Sequence, residues 1–173
     1  MEHDAVVYDL DGTLVRLEVD WDAAASDAAA VLRARGIDVE QLSLWDMLET
    51  AAEQGFKPRV STVLAAHERE GALNASAAPV ADELPRNGPV GVCSLNAEAA
   101  CRVALEVQGL DAHVDAVVGR DSLEAYKPDP EPLLHTLSLL DADPEKGLFV
   151  GDGERDRETA RRAGVEFRWV EDR

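Results

Sequence analysis

The sequence predicts an α/β protein, a doubly wound parallel sheet with a small helical subdomain inserted after its first strand. Three observations predict it. Over the second half of the chain, short apolar runs alternate with helical patterns, as in parallel strands covered by helices on both faces. From about Val15 to Leu84 that rhythm breaks and only helical spacing remains. With 173 residues, 46% of them hydrophobic, the chain can fill one core and still carry an insert.

The first strand is the apolar run Ala5-Val6-Val7-Tyr8, which ends in Asp9-Leu10-Asp11-Gly12-Thr13. Three helices are predicted next: Trp21 to Arg35, stopped by Gly36; Val39 to Glu53, stopped by Gly55; and Pro58 to Ala72. Val31, Leu32, Leu42, Leu44, Met47 and Leu48 recur there roughly at helical spacing, with acids between them. Asn74-Ala75-Ser76-Ala77-Ala78-Pro79 reads as a hinge back to the core. A strand follows at Pro89 to Cys93, a helix from Ala97 to Gln108 ending at Gly109, and a strand at Ala116 to Val118. A helix from Pro130 to Leu140, a strand at Leu148 to Val150, a charged helix from Arg155 to Ala163 and a strand at Phe167 to Val170 complete the order. The core is thus residues 1–14 and 85–173, Rossmann-like, and the insert is residues 15–84.

Charge excludes some functions. Lys+Arg 17 against Asp+Glu 35 gives a net charge of −18, which repels nucleic acid and anionic membrane surfaces. No apolar run reaches the ~20 residues of a membrane span. Acids stand at the start of the chain, where a signal peptide needs a basic region, so a soluble cytoplasmic protein is expected. Lysine is scarce, at Lys57, Lys127 and Lys146 only, and excess acid with little lysine suits concentrated salt, where counterions screen self-repulsion. Cys93 and Cys101 are too few for a disulfide framework and read as reduced core residues. His3, His67, His113 and His135 share no ligand spacing.

In a doubly wound sheet, chemistry sits beyond the carboxyl ends of the strands. Asp9 and Asp11 follow the first strand, Ser94 the second, and Asp152 with Asp156 the fourth, while Lys127 precedes a helix in Tyr126-Lys127-Pro128-Asp129-Pro130. Four carboxylates in one crevice call for a divalent cation, and hard oxygen ligands select Mg²⁺. A carboxylate beside Mg²⁺ can attack phosphorus. The charge on the transferred group then needs donors, here Lys127, the Ser94 hydroxyl and the backbone N–H groups of the Gly12-Thr13 turn. A second acid two residues after the nucleophile can protonate the leaving oxygen and later activate water.

The segments VVYDLDGTL (6–14), VGVCS (90–94), YKPDPEPL (126–133) and VGDGERD (150–156) resemble, in order, the four motifs of the haloacid dehalogenase-like superfamily. ETARRAGV (158–165) and GLDAHVDAVVG (109–119) resemble its phosphoglycolate-phosphatase-like branch. The resemblance covers nearly all of the core, whereas the insert matches only in position and helical character. It implies a phosphatase in which Asp9 is the nucleophile and Asp11 the general acid/base. It implies that Ser94 holds the phosphoryl group and that Lys127 stabilises its charge. Asp152 would join Asp9 and the Asp11 carbonyl on Mg²⁺, with Asp156 a supporting acid or water-mediated ligand. An acid at Asp11 favours phosphate over halide chemistry, and the insert would be a cap that selects a small phosphorylated substrate.

Two departures stand out: Leu95 follows Ser94 where Asn is common, with Asn96 one later, and Gly153 stands where Ser is common. Trp21, Trp45 and Met47 read as helix core more than as pocket lining. Arg16 is balanced between a substrate anion and solvent, and the run Arg155 to Arg162 reads as a solvated helix face. A phosphomutase, a phospho-acceptor of the receiver kind and a silent binding protein remain as alternatives. Oligomeric state has no signature.

Overall fold

A computed structural model describes residues 3–170 of the chain; the outermost residues of the expected core, 1–2 and 171–173, lie outside the described residues. Five parallel strands form the main sheet: β1 (Ala5–Tyr8), β4 (Val90–Cys93), β5 (Ala116–Val118), β6 (Gly147–Gly151) and β7 (Glu166–Trp169). Their order is β5-β4-β1-β6-β7, with Val7 opposite both Gly91 and Phe149. The chain therefore runs outward from β1 through β4 to β5 and then returns to the other side of β1. That reversal opens a crevice at the carboxyl ends of the central strands.

Alternation of side chains builds the two layers. Val6, Tyr8, Val90, Val92, Leu148 and Val150 face α4 (Glu98–Val107), which contributes Ala100, Cys101, Ala104 and Leu105. Ala5, Val7, Cys93 and Phe149 face α5 (Glu131–Leu139) and α6 (Glu154–Ala163) through Leu133, Leu137 and Ala160. Full burial of Leu133 or Leu137 contributes about 1.5–3 kcal/mol each. Both cysteines are free and buried, as expected from the sequence.

Between β1 and β4 lie α1 (Trp21–Arg33), α2 (Leu44–Glu53) and α3 (Lys57–Leu73). Asp20 caps α1 by accepting from Ala23 N–H at 2.9 Å. The second helix begins at Leu44 rather than Val39, because Ser43 and Asp46 form a reciprocal capping box that fixes its first turn. The three helices share their own apolar cluster, with Ala28, Leu32, Leu48, Val60 and Leu64 at its centre. Farther along α3, Ala72 belongs instead to the cluster under the sheet. One helix thus spans both cores.

The connecting segments differ from the sequence reading. Val15–Arg16 (β2) and Ser76–Ala77 (β3) pair antiparallel, where only helix and hinge were expected. Two-residue strands are too short to leave a period-two pattern; their pairing comes from the two linkers lying side by side, extended by Ala78 N–H donating to Leu14 O at 2.9 Å. Among the described residues, no helix is long and apolar enough to cross a membrane.

Candidate active site

Asp9 continues the β1 ladder by donating its N–H to Val150 O at 2.8 Å, and the chain then turns so sharply that Asp11 reaches the same cavity. Ser94 leaves β4, Asp152 leaves β6, and the loop between β5 and α5 brings in Lys127. All six of Asp9, Asp11, Ser94, Lys127, Asp152 and Asp156 line one cavity of about 280 Å³. A larger open groove of about 850 Å³ between α1 and α3 is lined by Val31, Arg35 and Arg59, with none of these groups.

Lys127 is the electrostatic centre. Its Nζ donates to Asp9 Oδ1 at 2.8 Å and to Asp156 Oδ1 at 2.5 Å, and it is 2% exposed. Burial works against its charge, but the carboxylates of Asp9 and Asp156 outweigh that and hold the ammonium above its ordinary range. Burial pushes the Asp9 carboxyl up to about 7, with Lys127 pulling down and Asp156 pushing further up. Burial also raises Asp11, against the Leu17 N–H that its Oδ1 accepts at 2.9 Å and with the help of Asp152. Asp152 is raised by burial and by Asp156. Four carboxylates thus meet one ammonium, which is the environment a divalent cation would relieve.

The donor set fits such a cation. Asp9, Asp152 and Asp156 each bring a carboxylate oxygen within 4.8 Å of the others. Within that triad Asp156 also has other partners, as a supporting acid would: Lys127 donates to its Oδ1 and Gly153 N–H to its Oδ2 at 3.1 Å. It anchors Lys127 and caps α6. Asp9 and Asp152 both line the cavity, and hard carboxylate oxygens suit Mg²⁺.

The Gly12-Thr13 amides do not supply the expected donors. Gly12 N–H donates to Val15 O at 2.8 Å and Thr13 N–H to Leu10 O at 3.2 Å, so both hold the turn itself. Gly12 matters through space: a Cβ there would stand 2.1 Å from Asp152 Oδ2.

The structure also places the residues that the sequence left undecided, and adds two that it missed, Glu68 and Arg120. Trp21 and Trp45 line the cavity while also packing on the apolar cluster of the insert, so core and pocket roles coincide. Arg155 lines it as well, 5.2 Å above the Trp45 ring, rather than lying on a purely solvated face. Arg16 is exposed on β2. Asn96 is buried and bonds the Ser94 hydroxyl at 3.1 Å. Behind it Glu68 and Arg120, neither exposed at all, form an ion pair. Glu68 was visible in principle: it sits four residues from Leu64 and from Ala72, in the apolar stripe of α3, where a carboxylate demands a partner.

Comparison with known proteins identifies the family. The haloacid dehalogenase-like hydrolase family matches residues 6–170. A phosphoglycolate phosphatase of Rhodospirillum rubrum is 34% identical over 93% of this chain and 76% of its own. The pyrophosphatase PpaX of Bacillus cereus is 42% identical over 48% of this chain and 39% of its own. Among solved structures, a HAD-superfamily hydrolase of subfamily IA from Geobacter sulfurreducens aligns with a TM-score of 0.63 at 26% identity, covering 95% of this chain and 88% of that one. Five parallel strands, the carboxylate-lysine site at their carboxyl ends and these likenesses together establish that the chain belongs to the haloacid dehalogenase-like hydrolase family.

Proposed function

We propose that the protein is a Mg²⁺-dependent phosphatase that hydrolyses a small phosphorylated metabolite through an aspartyl phosphate on Asp9. The observation that carries this reading is Lys127 Nζ seated between Asp9 and Asp156, in the cavity that Asp11 and Ser94 also line. The phosphoglycolate phosphatase relative supports it. The carboxylates of Asp9 and Asp152 and the backbone carbonyl of Asp11 would hold Mg²⁺, with Asp156 beside them. When bound, the cation keeps Asp9 ionised and draws charge from the phosphoryl oxygens.

Asp9 attacks phosphorus and forms a P–O bond as the bond to the leaving oxygen breaks. Asp11 gives that oxygen its proton, suiting a carboxyl held up by burial. Lys127 and the Ser94 hydroxyl take the charge on the phosphoryl oxygens. Water then attacks phosphorus, Asp11 accepts its proton, and the bond to Asp9 breaks to release phosphate. The insert, residues 15–84, serves as a cap over the core of residues 1–14 and 85–173, placing Trp21 and Trp45 against the leaving group. A cavity of about 280 Å³ is just below the usual range of ligand pockets, ~300–1,000 Å³, which favours a small phosphomonoester.

Phosphate release from a panel of small phosphomonoesters, with Mg²⁺ and with EDTA, tests the reading. Release that EDTA abolishes is expected. No release from any of them contradicts the reading, and an isomerised phosphate ester in place of free phosphate makes the protein a mutase.

A further inference from the structure

The loop that follows β4 is gripped from outside the cavity. Arg120 Nη1 donates to Glu68 Oε1 at 2.5 Å and Nη2 to Glu68 Oε2 at 3.1 Å, a two-pronged pair with neither residue exposed. Glu68 Oε2 also accepts from Ala97 N–H at 2.9 Å, and Oε1 from Asn96 Nδ2 at 3.5 Å. Arg120 donates its Nη1 to Leu95 O at 2.7 Å and its backbone N–H to Asn96 O at 2.9 Å. Leu95, Asn96 and Ala97 are thus each held by this ion pair.

The grip ends on Ser94. Asn96 N–H donates to Ser94 Oγ at 3.1 Å, and Ser94 Oγ–H donates to Asn96 Oδ1 at 3.1 Å. The first bond fixes the oxygen; the second engages the hydroxyl's one proton, which reaches a phosphoryl oxygen by rotating away from Asn96 Oδ1. Stability alone does not explain the arrangement, because a buried ion pair is often no better than apolar residues of the same volume. What the pair supplies is geometry.

We propose that Glu68, acting through Arg120 and Asn96, is a positioning residue for Ser94, so that the seating of α3 sets the affinity of the phosphate site. The proposal rests on the phosphatase reading. It makes the insert part of the phosphate site as well as its cover: α3 lends the sheet a carboxylate that never touches the substrate.

The test measures inorganic phosphate binding by calorimetry, and KM and kcat on an aryl phosphate with Mg²⁺ in molar KCl. Glu68→Gln strands the Arg120 charge and can unfold the chain, so the informative variant is Glu68→Met with Arg120→Met, which removes both charges. That double variant is expected to fold, with an unchanged near-ultraviolet circular dichroism spectrum, and to bind phosphate about tenfold more weakly with KM raised to match. Placed on a Ser94→Ala background, it should weaken phosphate no further. A folded double variant with wild-type KM and phosphate affinity overturns the proposal, as does a loss that simply adds to that of Ser94→Ala. A wild type that neither releases nor binds phosphate removes the phosphatase reading together with the proposal, whereas an active wild type beside an unaffected double variant removes the proposal alone.

Discussion

Gly12 and Asp152 approach so closely that a methyl group on Gly12 would lie 2.1 Å from Asp152 Oδ2 and 2.8 Å from its Cγ. Gly12 also holds φ at +83°, a conformation that costs side-chain-bearing residues roughly 1–2 kcal/mol. Gly12→Ala therefore pushes Asp152 away from Asp9. The Mg²⁺ concentration for half-maximal phosphate release is expected to rise about tenfold or more. A titration with an unchanged midpoint would remove Asp152 from the cation site.

Metal and pH should be linked. Burial raises the carboxyl of Asp9 to about 7 from 3.8, and those of Asp11 and Asp152 in the same direction. Without metal, these three groups bind more protons in the folded chain than in the unfolded one across that window. The stability from these groups is therefore full below the ordinary carboxylate range and lost as pH rises towards about 7. Mg²⁺ binds the ionised forms and should reverse the trend, so the rise in Tm on adding Mg²⁺ is expected to be larger at mildly alkaline than at mildly acidic pH. Equal shifts would contradict a cation resting on these carboxylates.

Much of this was legible in the sequence because strand ends announce themselves. Asp9, Ser94 and Asp152 each interrupt or follow an apolar run, and a parallel sheet gathers such positions at one edge. Gly36, Gly109 and Gly164, all at positive φ, marked where helices stop. The direction of an amide is not written in that way: Gly12 and Thr13 looked like phosphate donors until their N–H groups proved to close their own turn. Glu68 and Arg120 stand 52 residues apart, and only packing of α3 against the loop after β5 discloses the pair. Trp21 and Trp45 looked like core because core and cavity wall use the same apolar surface.

The acids outside the site make a separate prediction. Only a few of the 35 acidic residues belong to the cavity, so most of the net charge of −18 is spread over the rest of the chain. Self-repulsion at low ionic strength destabilises a compact chain, and screening relieves it. Thermal melts across a KCl series are expected to climb into the molar range, and KM for an anionic substrate to fall over the same range. Full stability in dilute buffer would show that the acidity is not a salt adaptation.

The central claim is that Asp9 carries the phosphoryl group. Asp9→Asn keeps the size of the side chain and removes the nucleophile, while Asp156 still holds Lys127. The direct measurement compares phosphate release by wild type and Asp9→Asn from one aryl phosphate, with Mg²⁺ in molar KCl, after circular dichroism shows both folded. Wild type should release phosphate and Asp9→Asn should fall by about a thousandfold or more; an Asp9→Asn variant that keeps wild-type turnover would contradict the account.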